Sequence, residues 1–208
     1  MLNILIADDH ELVRRGIRQI LLEEFSLLKI DEVKDASSLV KSALEANWDL
    51  IISDISMPGG GGIDALPQIL DKKPTQKILI ISVYPAEQYI IQVLRAGAFG
   101  FLNKDTVPEE LINAVKTIFS GHRYIHPSLS EKMGDVIKEK VGLLPHDLLS
   151  YGERQVMRQL ASGTPMHDIT IKLNISSETL HQYCRGIMDK TGATTENEIT
   201  YYVSKNIL

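Results

Sequence analysis

The sequence pattern centres on one short segment, Leu50-Ile51-Ile52-Ser53-Asp54-Ile55-Ser56-Met57-Pro58, followed by four glycines. Its first four residues are apolar or small, which is typical of a strand buried on both faces. We expect this strand to end near Asp54, because Pro58 and Gly59–Gly62 predict a turn. A carboxylate at the carboxyl end of a buried strand lies where open α/β sheets bind ligands. It could also serve only to cap the turn into the next helix.

Strands and helices are predicted to alternate through residues 1–121. The predicted strands are 3–7, 28–33, 50–53, 78–81 and 99–102, and the predicted helices are 11–24, 37–45, 63–70, 86–96 and 108–120. Short strands that alternate with helices at close intervals are typical of a parallel sheet covered by helices on both faces. The sequence therefore predicts an α/β fold with a doubly wound, five-stranded parallel sheet.

Polar side chains are predicted at the carboxyl ends of four strands: Asp8 and Asp9, Asp54, Ser82 and Lys104. In such a sheet these ends converge on one crevice. Three carboxylates placed together repel each other, and a hard divalent cation such as Mg²⁺ relieves this with oxygen ligands. A lysine supplies a mobile point charge for phosphoryl oxygens. The set predicts a site that receives phosphate on an aspartate.

Several segments resemble the receiver domain of two-component response regulators, which has a flavodoxin-like fold. They are Ile4-Leu5-Ile6-Ala7-Asp8-Asp9-His10, Ser53-Asp54-Ile55-Ser56-Met57-Pro58, Ile81-Ser82 and Ala96-Gly97-Ala98-Phe99-Gly100-Phe101-Leu102-Asn103-Lys104-Asp105. The resemblance covers about residues 1–121, with the motifs in the family's order. It implies that Asp54 accepts a phosphoryl group from a sensor histidine kinase.

The resemblance also implies a role for other residues around Asp54. These are Asp8, Asp9, Asp54 and the backbone carbonyl of Ser56 as ligands of Mg²⁺, Lys104 as the phosphoryl-binding cation, and Ser82 and Phe101 as switch residues. Each has a simpler structural interpretation when it is taken singly: the acids and Ser82 as helix caps, Lys104 as a surface charge, and Phe101 as a core residue.

Residues 149–208 are predicted to form a smaller, all-α domain of four helices. A helix that ends at Leu173, the turn Asn174-Ile175-Ser176 and a longer helix to Thr191 match the helix-turn-helix pattern. Its core is predicted to contain Ile169, Leu173, Ile175, Leu180 and Ile187. The domain is similar to the LuxR-type DNA-binding domain, and the order of domains is that of the NarL/FixJ group of response regulators.

The LuxR resemblance rests on scaffold positions, and the sequence departs from the family on the reading face. Where the family usually has Val-Lys, with His two residues on, this chain has Leu180-His181-Gln182-Tyr183. Gln182 and Arg185 are expected to reach base edges, and Lys172 and Lys190 to contact phosphates. His181 is also expected to belong to the DNA-binding surface.

Residues 122–148 are interpreted as a partly helical linker between a receiver at 1–121 and the helix-turn-helix domain at 149–208. The whole chain has 22 Lys and Arg against 27 Asp and Glu, a net charge of −5. Residues 1–122 hold 12 basic against 17 acidic residues, which accounts for this excess, while residues 148–208 hold six of each. A neutral domain gives little electrostatic support for DNA binding.

The sequence indicates a cytoplasmic regulator rather than an enzyme or a membrane protein. It has no apolar run of the roughly 20 residues that span a bilayer, and Cys184 is its only cysteine. The resemblance implies a homodimer when phosphorylated, with the C-terminal domain controlling transcription. The main alternative is a C-terminal domain that has lost DNA reading and serves in dimerisation or protein docking. A phosphatase or a flavin protein on a similar sheet would leave that domain unexplained.

Overall fold

Five parallel strands form one sheet in the order β2-β1-β3-β4-β5. They are β1 (Leu2–Ala7), β2 (Leu28–Val33), β3 (Leu50–Asp54), β4 (Ile78–Ser82) and β5 (Gly100–Asn103). Every residue of β3 and β4 is buried, as expected for strands covered by helices on both faces. The predicted five-stranded parallel sheet is confirmed, with each strand within one or two residues of its predicted position.

The computed structural model describes residues 1–142, 144–149 and 151–206. These residues fall into two compact units, 1–129 and 130–208. The helices of the first unit are α1 (Glu11–Glu24), α2 (Ala36–Glu45), α3 (Gly61–Leu70), α4 (Ala86–Arg95) and α5 (Val107–Phe119). A further helix, α6 (Pro127–Val141), begins at the end of this unit. The boundaries at 121/122 and 148/149 that the sequence suggests stay a prediction.

Helix α1 packs on the sheet with the face that its sequence suggests, except in its first turn. Ile17 and Leu21 are buried as predicted, but Leu12 is 83% exposed. Val13 packs against the core instead. Arg14, predicted to face solvent, has a side chain that is only 15% exposed. Val13 lies on the same face as Ile17 and Ile20, whereas Leu12 lies one residue step, about 100°, to the side of it.

The second unit contains four helices after α6: α7 (Tyr151–Ala161), α8 (Met166–Leu173), α9 (Ser177–Thr191) and α10 (Glu196–Asn206). Ile169, Leu180 and Ile187 are buried in its core, while Leu173 and Ile175 are partly buried against it. Pro165 is the N-cap of α8. The predicted all-α domain with a helix-turn-helix is thus confirmed.

Candidate functional site

The carboxylates of the receiver-like unit lie together because of the strand register. Strands β1 and β3 pair up to Ala7 opposite Ser53, so Asp8 and Asp54 follow next to each other at the carboxyl edge. This is the point where the chain switches from one side of the sheet to the other, and ligands bind there in such folds. Asp8 is fully buried and Asp54 is 4% exposed.

Lys104 connects these two acids. It follows β5 directly, and its Nζ lies 2.7 Å from Oδ2 of Asp8 and 2.8 Å from Oδ2 of Asp54. Its side chain is only 9% exposed. One ammonium therefore faces two buried carboxylates, and the site keeps an excess of negative charge.

The pKa values of this group reflect burial and mutual charge. Burial raises the pKa of Asp54 above its ordinary value, and the neighbouring Asp8 adds to this, while Lys104 and the backbone N–H of Ser56 act in the opposite direction. Burial alone would lower the pKa of Lys104, but its bonds to Asp54 and Asp8 more than offset this and raise it. The Asp54 carboxylate is therefore poised to gain from a further cation.

Asp9 and His10 complete the acidic cluster on its exposed side. One possible ligand atom from each of Asp8, Asp9, His10 and Asp54 lies within 4.8 Å of the others. The Nδ1 atom of His10 is 2.8 Å from an Asp9 oxygen and 3.3 Å from an Asp8 oxygen. The three clustered carboxylates supply the oxygen ligands that Mg²⁺ prefers. Asp9 and His10 are exposed, so the cluster is open to solvent on that side. The residues fit a hard divalent cation.

The remaining predicted receiver residues lie around the same edge. Ser82 ends β4, is fully buried, and its Oγ accepts a hydrogen bond from the backbone N–H of Tyr84 at 2.9 Å. It therefore closes a turn two residues on and does not cap a helix, since α4 begins only at Ala86. Phe101 on β5 is fully buried. Ser56 is exposed in the bend after β3.

Two glycines after Asp54 allow α3 to begin directly against the site. The sequence predicts a loose turn at 59–62, but Gly61 and Gly62 are buried and belong to the first turn of α3. The Gly62 N–H donates to the carbonyl of Ile55 at 3.1 Å. A Cβ at Gly62 would overlap the carbonyl oxygen of Asp54 and the hydroxyl of Ser53. The missing side chain sets how closely α3 approaches the end of β3.

Arg14 supports the acidic cluster from α1, a role that the sequence did not indicate. Its Nη1 donates to the backbone carbonyl of Asp8 at 2.8 Å, and its Nε donates to Glu32 at 3.1 Å. Arg14 thus ties the loop that carries Asp8 to strand β2. The one available signal was the position of Arg14, one turn after His10. The helical periodicity of α1 alone assigns Arg14 to solvent.

The helix-turn-helix is built from standard turn and cap contacts. Asn174 ends α8 in the left-handed conformation, at φ 52°, which Asn tolerates better than most residues. The Ser176 hydroxyl accepts from the N–H of Thr179 at 3.0 Å and so caps α9. Gly192 ends α9 with φ 77°. These contacts fix α9 as a fifteen-residue helix in the recognition position.

The structure exposes four of the five residues predicted to contact DNA. His181, Gln182 and Arg185 are exposed on α9, and Lys172 is exposed on α8. Lys172 also reaches Gln159, at 3.5 Å. The first three share one face of α9, because Arg185 is four residues after His181 and three after Gln182.

Lys190 does not join this face, and its contact with a DNA phosphate stays a prediction. Its Nζ lies 2.8 and 2.7 Å from the two carboxylate oxygens of Glu153 on α7, and both side chains are about nine-tenths buried. Gly186 makes this possible, because a Cβ there would overlap the Glu153 carboxylate. The glycine in the middle of α9 thus accommodates an ion pair that joins α7 to α9.

We expect Lys190→Ala to destabilise the C-terminal unit by about 2 kcal/mol, because it removes the cation that faces the buried Glu153 carboxylate. Lys172→Ala, which removes an exposed cation from α8, is the matched control and is expected to stay within about 0.5 kcal/mol of wild type. Urea unfolding followed by far-ultraviolet circular dichroism measures both changes. Equal stability of the two variants would contradict the structural role of Lys190.

Comparison with protein families gives two matches that together account for most of the chain. The model for the response regulator receiver domain matches residues 4–116, and the model for bacterial regulatory proteins of the luxR family matches residues 147–203. The first covers the acidic cluster and Lys104, and the second covers the helix-turn-helix. The chain belongs to the response regulators. Within them, this pair of domains is that of the NarL/FixJ group, as the sequence predicts.

Similar proteins match this chain along nearly their full length. The response regulator UvrY of Escherichia coli K12 is 32% identical over 202 residues, which cover 97% of this chain and 93% of UvrY. The structure of RcsB from Salmonella enterica serovar Typhimurium, bound to promoter P1flhDC in the presence of the phosphomimetic BeF3-, is 28% identical. It has a TM-score of 0.57 and covers 98% of each chain. A structure of two RcsB dimers bound to two parallel DNAs is 26% identical with a TM-score of 0.57, covering 99% of this chain and 98% of that one.

Within residues 1–142, 144–149 and 151–206, no helix of this response regulator is both long enough and apolar enough to cross a bilayer.

Proposed function

We propose that this response regulator accepts a phosphoryl group on Asp54 and thereby controls DNA binding by its helix-turn-helix. The observation that carries the proposal is the position of Lys104 Nζ, 2.8 Å from Asp54 and 2.7 Å from Asp8, at the carboxyl edge of the sheet. It supports a site where a carboxylate acts as nucleophile and an ammonium receives the incoming charge.

The proposed reaction of Asp54 is the transfer of a phosphoryl group from a phosphohistidine of a sensor kinase. An Asp54 carboxylate oxygen forms the new bond to phosphorus, and the bond from phosphorus to the histidine nitrogen breaks. Lys104 is the group that can move from Asp54 to a phosphoryl oxygen, because an ammonium on a flexible stem follows the charge. The buried setting keeps its attraction to that charge strong.

Mg²⁺ is the cation that this donor set suits best, held by Asp8, Asp9, Asp54 and the carbonyl of Ser56. When bound, it would neutralise the crowded carboxylates and the phosphoryl oxygens. Asp8 and Asp9 would then bind the cation and would not themselves accept the phosphoryl group. Arg14 keeps the loop of Asp8 in place through the Asp8 carbonyl.

Mg²⁺ is expected to raise the melting temperature of the receiver by a few degrees. At tenfold excess over its dissociation constant it contributes about 1.4 kcal/mol of stability, because it binds only the folded site. Fluorescence of Trp48, the one tryptophan of the chain, follows this transition because Trp48 is buried in the receiver. Asp9→Asn is expected to reduce the shift, and Asp64→Asn, an exposed acid of α3, is expected to retain it. An equal shift in both variants would place the cation elsewhere.

The switch is proposed to act through Ser82 and Phe101. In the structure the Ser82 hydroxyl bonds to the N–H of Tyr84, and Phe101 lies fully buried on the adjacent strand. A phosphoryl group on Asp54 offers Ser82 a stronger acceptor, so the hydroxyl would exchange one bond for another and move the turn before α4. The surface of α4, β5 and α5 would change with it.

The C-terminal domain is proposed to read DNA as a homodimer, with α9 in the major groove. Gln182 and Arg185 are the exposed side chains suited to base edges, and Lys172 is suited to a phosphate. The structures of RcsB with promoter DNA and as DNA-bound dimers support this arrangement by similarity. Two copies of α9 would then contact half-sites about one helical turn of DNA apart.

A gel shift with fragments selected from a random DNA pool, with and without a small phosphodonor, tests the proposal. We expect phosphodonor-dependent retention that is lost in Arg185→Ala. Because Lys190 pairs with Glu153, the reading face is poor in cations, and a docking module is the competing function. Absence of retention of any fragment at low salt, together with phosphodonor-dependent dimerisation, would favour that function.

A further inference from the structure

His10 places a ring nitrogen beside the acidic cluster of the receiver. Its Nδ1 lies 2.8 Å from Oδ1 of Asp9 and 3.3 Å from Oδ1 of Asp8. Together with Asp54, these residues can each direct one ligand atom to a common point, since the four atoms lie within 4.8 Å of one another. The cluster therefore offers three carboxylates and one imidazole to the same cation.

The distances from Nδ1 are those of neighbouring ligands around one metal ion. Bonds of about 2.0 to 2.1 Å place adjacent ligands of an octahedral or tetrahedral ion about 2.8 to 3.4 Å apart. Both distances from Nδ1 of His10 fall in this interval. When a cation binds Nδ1, the neutral ring carries its proton on Nε2 instead. The imidazole can thus exchange a proton for a metal without a change in position.

The backbone holds His10 in this place, and the fold does not need its ring for another purpose. The N–H of His10 donates to Oδ1 of Asp8 at 2.8 Å. His10 is the N-cap residue of α1, but its side chain makes no capping hydrogen bond to the helix. The side chain is 67% exposed, so a cation from solvent can reach it.

Asp8 gives an independent indication that the cluster lacks positive charge. Within the described residues, Oδ2 of this fully buried carboxylate has no partner but the ammonium of Lys104, at 2.7 Å. Asp54 shares that ammonium, at 2.8 Å. The nearby Arg14 donates to the carbonyl of Asp8 and to Glu32, not to the carboxylate of Asp8. Two buried carboxylates therefore share one cation, and a divalent ion on the exposed side would supply the missing charge.

We infer that His10 is a further ligand of this cation site and lets the receiver bind a transition metal such as Zn²⁺ in addition to Mg²⁺. The inference rests on the proposed function, because it concerns the cation site at Asp54. Imidazole suits Zn²⁺ and other transition metals, whereas Mg²⁺ prefers oxygen ligands. His10 is therefore expected to contribute to the affinity for Zn²⁺ and very little to the affinity for Mg²⁺.

The test is the melting temperature of the receiver in the full-length protein, followed by Trp48 fluorescence. Wild type, His10→Gln and His126→Gln are each melted without a divalent cation, over a range of Mg²⁺ and over a range of Zn²⁺. The shifts give dissociation constants, because a cation that binds only the folded site stabilises it in proportion to its occupancy. Glutamine at position 10 can still donate to Asp9 but has no ring nitrogen. His126→Gln is the matched control, since it removes a histidine of the same unit that lies outside the cluster.

His10→Gln is expected to weaken Zn²⁺ binding about tenfold or more, the usual cost of losing a group that supports a metal site. Its affinity for Mg²⁺ is expected to stay within about twofold of wild type, because the oxygen ligands remain. His126→Gln is expected to bind both cations like wild type, and excess Mg²⁺ is expected to reduce the Zn²⁺ shift of wild type.

Two results would overturn the inference and leave the proposed function intact, provided that Mg²⁺ still stabilises the receiver. One is an equal Zn²⁺ affinity of wild type and His10→Gln, and the other is a Zn²⁺ shift that excess Mg²⁺ does not reduce. The absence of a shift with either cation in wild type would contradict the cation site of the proposed function, and the inference with it.

Discussion

Asp54→Asn is expected to abolish stable phosphorylation by acetyl phosphate or another small phosphodonor, and with it phosphodonor-dependent DNA retention. An amide is too weak a nucleophile to accept the phosphoryl group, and Asn removes one of the charges that hold a cation. The carboxamide nearly matches the shape of Asp54, so its contacts in the buried edge are kept. Phosphate-affinity gel electrophoresis measures the loss as the disappearance of the retarded band.

Asp64→Asn is the matched control for this loss. It removes the same charge from an exposed position of α3, ten residues away, and is expected to be phosphorylated like wild type. A retarded band in Asp54→Asn of the same intensity as in Asp64→Asn would show that another residue accepts the phosphoryl group.

The stability of Asp54→Asn supplies an independent check that the variant folds. Burial raises the pKa of Asp54, so the folded receiver favours the protonated acid. Ionisation therefore costs stability as the pH rises through the interval between the ordinary and the raised pKa. Without Mg²⁺, Asp54→Asn is expected to melt a few degrees above wild type at neutral pH. This difference should disappear below the ordinary pKa of aspartate.

The sheet and the edge where its ligands meet were predictable from the sequence because both depend on local patterns. Buried parallel strands are short apolar runs, and a polar residue after such a run lies at the carboxyl edge whatever the details of packing. The sequence alone therefore predicts that Asp8, Asp54 and Lys104 lie close together, as the structure places them. The distances between their side chains could not be predicted, because they depend on strand register.

Contacts between residues far apart in the chain were not predictable in the same way. Lys190 and Glu153 are 37 positions apart, and each alone has the pattern of a solvated charge. Only the close approach of α7 and α9 at Gly186 makes them a buried pair. Arg14 is a similar case, because its partner Glu32 is 18 positions away, on β2.

Gly62→Ala is expected to destabilise the receiver strongly, although it adds only one methyl group. Its Cβ would overlap the Asp54 carbonyl and the Ser53 hydroxyl, and the first of these is backbone that no rotamer change can move. Helix α3 would have to shift away from the end of β3, at an expected cost of about 3 kcal/mol or more. Urea unfolding of the full chain, followed by Trp48 fluorescence, reports this for the receiver.

Gly16→Ala is the control that separates overlap at the site from the general effect of replacing a glycine. Gly16 lies in α1 with no atom within 4 Å of an added Cβ. Alanine favours helix over glycine, so this variant is expected to gain up to about 1 kcal/mol. The two substitutions add the same methyl group to a helix of the same unit, with opposite predicted signs. If Gly62→Ala unfolded at the same urea concentration as wild type, α3 could not approach Asp54 as closely as the structure places it.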